Sequence, residues 1–388
     1  MANAKPVSAS IFVDLLIDPL GMVSSLTLAQ WDLVVRQARS AGMLGRVFHI
    51  LQSNSVINLV PDAPLRHFRW GAMISERHAK LVSVEVEGIA RVLTSLQGPI
   101  VLLKGAAYCY GNLDALTGRI FTDIDVLIDK SEIELAETLL ERQGWLSSHM
   151  SDYDQRYYRR WMHELPPMKH GQRQTELDLH HAILPKTSRF TTDSSLLLSN
   201  LKPLNTELNL DRLGDEDLLL HSSAHLFFDG EFKHGFRDLE DIRSILNGWK
   251  LVEAGWKSLL DRASLLGLSH PCFFALYFSR EWFDVDMPEW VLERVAADAG
   301  LGRIRKKVLL NLFCESLLPV HHSCESRVNS FARYCLYIRS HYLRMPVRLL
   351  IPHLIYKSVL PIIDRFQNMS KDRPKGGVLQ RLVEEKEK

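Results

Sequence analysis

The sequence predicts an α+β fold: a small mixed-sheet core with helical regions on its N- and C-terminal sides. Three observations predict it. Apolar residues recur at helical spacing up to about residue 97, and again from about 213 to 365. Between about 100 and 185 the pattern switches to short apolar runs with alternation. Two of those segments, FTDIDVLI and TELDLHHAI, alternate with the period of two that half-buried strands require. At 388 residues the chain exceeds one average domain. The expected parts are an N-terminal helical region (1–97), the α+β core (98–187), a C-terminal helical domain (205–368) and a flexible tail (369–388).

Hydrophobic residues at 46% and charged residues at 24% place the chain among ordinary globular proteins. A net charge of +1 excludes a bulk electrostatic footprint for nucleic acid and leaves only a local basic patch open. The five cysteines are scattered with no CxxC pair. That suits a reducing cytoplasm and argues against a disulfide framework or a zinc ribbon. Asp14 and Asp18 interrupt the first apolar stretch, which therefore does not read as a signal peptide. No uninterrupted apolar run approaches the roughly 18 residues of a membrane span.

In chain order, LAQWDLVVRQARSAG is amphipathic, with Trp31, Leu33, Val34, Val35 and Ala38 near one face. Asp62, with Pro64 behind it, opens a long helix that ends before Gly98-Pro99. Val101 to Leu103 is a buried strand leading to the turn Lys104-Gly105. Phe121 to Ile128 is a second strand. Ser131 and Glu134 suggest a capping box for the helix ELAETLLERQ, and Gly144 stops it. Trp145 onward and HELPPMKH read as strands, Pro166-Pro167 implying an edge or a bulge. The cluster DYDQRYYRRWMHE, Asp152 to Glu164, reads as a solvated strand-and-loop face, or as a surface that stacks bases and grips phosphates. Asp215 is placed as the N-cap of EDLLLHSSAHLFF. The C-terminal RMPVRLLIPHLIYKSVLP reads as a buried helix kinked by proline, or as an amphipathic element on a membrane surface.

The chemistry concentrates at residues 99–130 and 176–180. On a strand, residues two apart share a face, so Asp123 and Asp125 aim two carboxylates at one point, with Asp129 on the same side. Their repulsion is what a divalent cation relieves, and Mg²⁺ is commonly held by one or two carboxylates plus substrate phosphates. Lys104 and Gly105 stand where a strand enters a helix, which reads as a turn glycine with a surface lysine or as a natural phosphate position. Arg119 could contact a triphosphate or cap the loop. Asp178 supplies a third carboxylate if its strand lies beside the DxD strand, and Glu176 is its rival. Asp178 would then be a metal ligand or the base that activates an acceptor. His180 reads as a local hydrogen-bond partner. His221 and His225, one helical turn apart, with His234, Asp238 and Asp241, read as a polar seam or as a metal site of the helical phosphohydrolase kind. His321, His322 and Cys324 read as a loop.

LLKGAA, RIFTDIDVLI and ELDLHHAI in that order resemble the nucleotidyltransferase-like family of the DNA polymerase β superfamily, more narrowly its bacterial "uncharacterised nucleotidyltransferase" group. The matching positions are Lys104, Gly105, Arg119, Asp123, Asp125, Asp178 and His180, over roughly residues 25–250. His221 and His225, followed by Arg237 and Asp241, match the helical part. The resemblance implies Mg²⁺, or Mn²⁺, held by Asp123, Asp125 and Asp178. It implies a nucleoside triphosphate such as ATP steadied by Lys104, Gly105 and Arg119, with His180, His225, Arg237 and Asp241 in the cleft. The acceptor is left open between protein, small molecule and nucleic acid. A catalytically silent nucleotide sensor and a phosphohydrolase centred on His221 to Asp241 are the alternatives.

Overall fold

The computed structural model describes residues 7–113, 117–147, 152–249, 252–348 and 350. It divides the chain into two units, Met1–Arg344 and Met345–Lys388; everything below concerns the first. Two thirds of the C-terminal segment read as a kinked or membrane-surface helix, residues 344–361, fall outside the described residues.

Five helices come first: α1 (Ser10–Ile17), α2 (Pro19–Val23), α3 (Leu28–Ser40), α4 (Leu44–Ser53) and α5 (Asp62–Val92). At the start of α3 the Thr27 hydroxyl accepts from the Gln30 N–H while the Gln30 side chain accepts from the Thr27 N–H. This reciprocal cap satisfies two of the helix's otherwise orphaned donors. Trp31, Val34, Val35 and Ala38 are buried, as their spacing predicts. Asp62 is the first helical residue of α5 rather than its cap, because Pro61 takes that place.

Among the described residues one mixed sheet follows, in the order β3-β4-β5-β2-β1-β7-β6. Its strands are β1 (Ile100–Leu102), β2 (Asp123–Leu127), β3 (Trp145–Ser147), β4 (Met168–His170), β5 (Glu176–His180), β6 (Leu201–Asn205) and β7 (Leu210–Leu213). The fold is therefore α+β with helical flanks. β1 is buried along its whole length, as an apolar strand flanked on both sides must be. β2 runs antiparallel to β1 and parallel to β5. That parallel pairing fixes the register on which the site depends: Asp125 opposite Asp178, Asp123 opposite Glu176.

Between the strands lie α6 (Lys104–Tyr110), α7 (Ile133–Arg142), α8 (Asp152–Trp161) and α9 (Ser194–Leu198). Three sequence expectations change here. The capping box of α7 does not form: the Ser131 hydroxyl and N–H both donate to Asp129, and the helix begins two residues later. Asp129 accordingly serves a turn beyond the end of β2, so two acids rather than three share that strand's face. DYDQRYYRRW is the helix α8, held to α7 by a bidentate Arg159–Glu137 pair at 2.6 and 2.8 Å.

The C-terminal helices are α10 (Asp215–Phe228), α11 (Gly235–Trp249), α12 (Glu253–Leu265), α13 (Ser269–Phe283), α14 (Glu289–Asp298), α15 (Arg303–Ser316) and α16 (Arg327–Arg344). α10 is buried nearly all round. Its Phe227 ring meets those of Phe274, Phe278 and Phe313 at 5.0–6.2 Å between centroids. Such rings contribute about 2–3 kcal/mol each by burial. They make α10 a fixed wall against which the sheet's functional face is set.

Candidate active site

A cleft of about 790 Å³ opens between the sheet and helices α10 and α11. Lys104, Gly105, Arg119, Asp123, Asp125, Asp178, His180, His225 and Arg237 all line it. Asp238 lines it as well; Asp241 does not, lying behind it against Arg119. A volume of this size is typical of small-ligand and cofactor pockets.

Asp125 is the electrostatic centre. Its Oδ1 accepts from Lys104 Nζ at 2.8 Å and from His180 Nε2 at 3.0 Å. Burial pushes the Asp125 carboxyl upward, but Lys104 and His180 outweigh it and hold the group well below the usual carboxylate range. Conversely, burial tends to strip Lys104 of its proton, and Asp125 reverses this, leaving its pKa raised. Lys104 itself has φ +43°, a left-handed conformation lysine rarely adopts, where β1 turns into α6. Such outliers collect at functional positions.

Asp178 is placed differently. Burial, then the negative charges of Asp125 and Glu164, raise its carboxyl to about 7. The charge of nearby His180 offsets them only in part. Glu176, the rival third carboxylate, is exposed and pairs with Lys169 at 3.3 Å on the neighbouring strand. Oxygen or nitrogen atoms of Asp125, Asp178 and His180 lie within 4.8 Å of one another, close enough to share a cation. Asp123 borders the cleft outside that tight group.

The loop entering β2 is held from two sides. Gly118 has φ +83°, and a Cβ there would meet the Arg46 nitrogen at 2.2 Å, so only glycine lets this loop lie against α4. Next to it, Arg119 is buried between Asp241 and Asp238, the latter at 3.5 Å, and stacks 5.5 Å from the Tyr108 ring. Arg119 thus joins the sheet to α11 rather than standing free. Arg237 likewise donates to Asp238 at 2.8 Å and to the Ile120 carbonyl at 3.1 Å.

On the other side, Phe121 packs edge-on against His78 of α5, 4.7 Å between centroids. A Cβ at Gly105 would meet the Phe121 ring at 2.7 Å. Glycine is therefore demanded at 105 by that ring as much as by any ligand. Gly105→Ala should lower the unfolding free energy by about 1–3 kcal/mol through displacement of Phe121. Urea denaturation followed by far-UV circular dichroism checks this; an unchanged midpoint would refute the packing argument.

His221 is deeply buried on α10, and burial together with Lys104 keeps its pKa well below the ordinary value. His225 faces the cleft and lies 3.6 Å from Asp229. Among the described residues the groups able to hold a metal are Asp125–Asp178–His180 and His163–Glu164–His180, neither of which contains His221, His225 or Asp241.

Glu164 and His163 were not singled out from the sequence. Glu164 forms an isolated antiparallel bridge with His180, and β4 then resumes pairing at Met168 opposite Leu177. Four residue steps on one side thus match three on the other, a bulge at Pro166-Pro167 that aims Glu164 at His180. The signal was present in HELPP beside ELDLH, where a proline pair breaks a strand that must still reach a histidine.

No helix among the described residues is long and apolar enough to cross a membrane. No curated protein and no solved structure matches the chain. The family model of uncharacterised nucleotidyltransferases matches residues 27–284, a span that contains β1, β2, β5, α10, α11 and every acid of the cleft. The chain belongs to the uncharacterised nucleotidyltransferase family, a family of transferases.

Proposed function

We propose that this protein is a divalent-metal-dependent nucleotidyltransferase. It moves a nucleoside monophosphate group from a nucleoside triphosphate to an acceptor and releases pyrophosphate. The observation that carries the reading is the parallel β2–β5 register, which sets Asp178 opposite Asp125 at the floor of a nucleotide-sized cleft. The donor chemistry fits a hard cation: carboxylates of Asp125 and Asp178 converge, with Asp123 on the same strand face, and Asp178 carries a repulsion that a cation relieves. Mg²⁺, or Mn²⁺ in its place, would supply charge neutralisation on the phosphates and on the attacking and leaving oxygens.

The chain's own groups account for the remainder. Lys104 and Gly105, at the head of α6, steady the phosphates, and Arg119 keeps that wall positive and in place. The acceptor hydroxyl attacks the α-phosphorus, the bond to the bridging oxygen breaks, and pyrophosphate departs. Asp178, whose carboxyl sits at about 7, takes the acceptor's proton. His225 and Arg237 border the space left for base or acceptor. The flanking helical regions enclose that space.

The test is pyrophosphate release from a panel of nucleoside triphosphates with protein, sugar and nucleic-acid acceptors. Release that requires Mg²⁺ and disappears in the Asp123→Ala, Asp125→Ala double variant is expected. A double variant turning over like its parent would sink the mechanism. Nucleotide binding without release on any acceptor would favour a silent sensor.

A further inference from the structure

We infer that His163, Glu164 and His180 form a second cation site in the cleft, selective for a transition metal of the Zn²⁺ or Co²⁺ type. Glu164 Oε2 lies 3.5 Å from His180 Nε2 and 3.7 Å from His163 Nε2. These distances exceed ordinary hydrogen bonds. They match the roughly 3.4 Å that separates ligand atoms around a tetrahedral cation with bonds of about 2.1 Å.

His163 gives an independent reason. Its side chain is largely buried, yet it makes no hydrogen bond among the described residues, and its Nδ1 is without a partner. A buried polar ring with nothing to bind calls for an explanation. A cation at Nε2 gives the ring a partner on the side of Glu164, while Nδ1 keeps none.

The donor set decides which cation. Two imidazoles and one carboxylate suit Zn²⁺ and its neighbours, whereas Mg²⁺ takes oxygen ligands. The site is also placed for use: His163, Glu164 and His180 all line the cleft, so a fourth position faces its interior. Binding displaces the proton that His180 Nε2 donates to Asp125, and Asp125 keeps its bond to Lys104. Occupation of this site and the His180–Asp125 hydrogen bond therefore exclude one another.

Co²⁺ is the probe, added to the whole chain in excess Mg²⁺ without nucleotide and followed by its visible ligand-field absorption. One Co²⁺ per chain is expected, with strong bands of low-coordinate geometry that survive Asp123→Asn. Glu164→Gln and His163→Asn should each weaken binding about 100-fold or more, since even the loss of outer partners costs 10–100-fold. Thermal melts establish that both variants fold. Displacement of Co²⁺ by Mg²⁺, or unchanged absorption in both folded variants, would overturn the assignment. The readout is metal occupancy, so it stands or falls separately from pyrophosphate release.

Discussion

Asp125→Ala removes nucleotidyl transfer and at the same time loosens the fold by about 3–5 kcal/mol, the range for breaking a buried ion pair from one side. The cost arises in what is left behind. Lys104 is only 18% exposed and His180 only 2%, and both lose their shared acceptor. Urea unfolding at neutral pH should show the drop, and a Lys104→Met, Asp125→Ala double variant should recover much of it. Turnover should fall roughly 10³-fold or more in both, because lost charge stabilisation at the reacting phosphate is not restored by removing the lysine. The pH dependence carries a sign. Asp125 is depressed in the folded chain, so its contribution is present above the unfolded value of about 4 and is lost as pH falls through the lower folded value. Lys104 is raised, so its part persists below about 10.4 and is lost as pH climbs through its higher folded value. The gap between parent and Asp125→Ala should therefore be widest across the neutral range and shrink in strong acid. A constant gap would mean the carboxylate is not what holds the lysine.

The distribution of these charges explains how far the sequence could be read. Period-two alternation exposed β2 and β5, and the shared face of Asp178 and His180, because strand geometry is local. Which strands pair is not local. The neighbourhood of Asp125 and Asp178 spans two intervening helices, two strands and a bulge, and nothing in the residues themselves states the register. Arg119 read as a triphosphate contact or a loop cap, and neither reading could name Asp238 and Asp241, which lie more than a hundred residues away. Glu164 was passed over for the same reason: its meaning comes from His180 across a bulge. α8 looked extended because tyrosines favour strands, yet it is a helix whose Arg159 pairs with Glu137 of α7. The hairpin β6–β7 escaped notice for a different cause. Most of its residues are only partly buried, so LKPLN shows no apolar period, and its place in the sheet comes from pairing β7 to β1.

Asp178→Asn should abolish transfer while making the metal-free protein more stable above neutral pH. Burial and the charges of Asp125 and Glu164 hold its proton to about 7, whereas the unfolded chain releases it near 3.9. Between those values the folded state binds more protons, so stability from this group is full below about 3.9 and is lost as pH rises through 7. At pH 8 the parent carries a half-buried charge, opposed by Asp125 and Glu164, that the asparagine lacks, and the variant should gain on the order of 2 kcal/mol. At pH 4 the two should melt together. Adding Mg²⁺ reverses the order: the parent is stabilised by binding, and the variant responds little. Because a proton competes with the cation, the parent's Mg²⁺ affinity should fall up to about tenfold for each pH unit below 7. Differential scanning calorimetry across pH, with and without Mg²⁺, reads all three. A variant less stable than its parent at pH 8 would show that Asp178 is held by a partner rather than opposed by its neighbours. The acid that lowers fold stability when no cation is added would then not be the one kept for the cation.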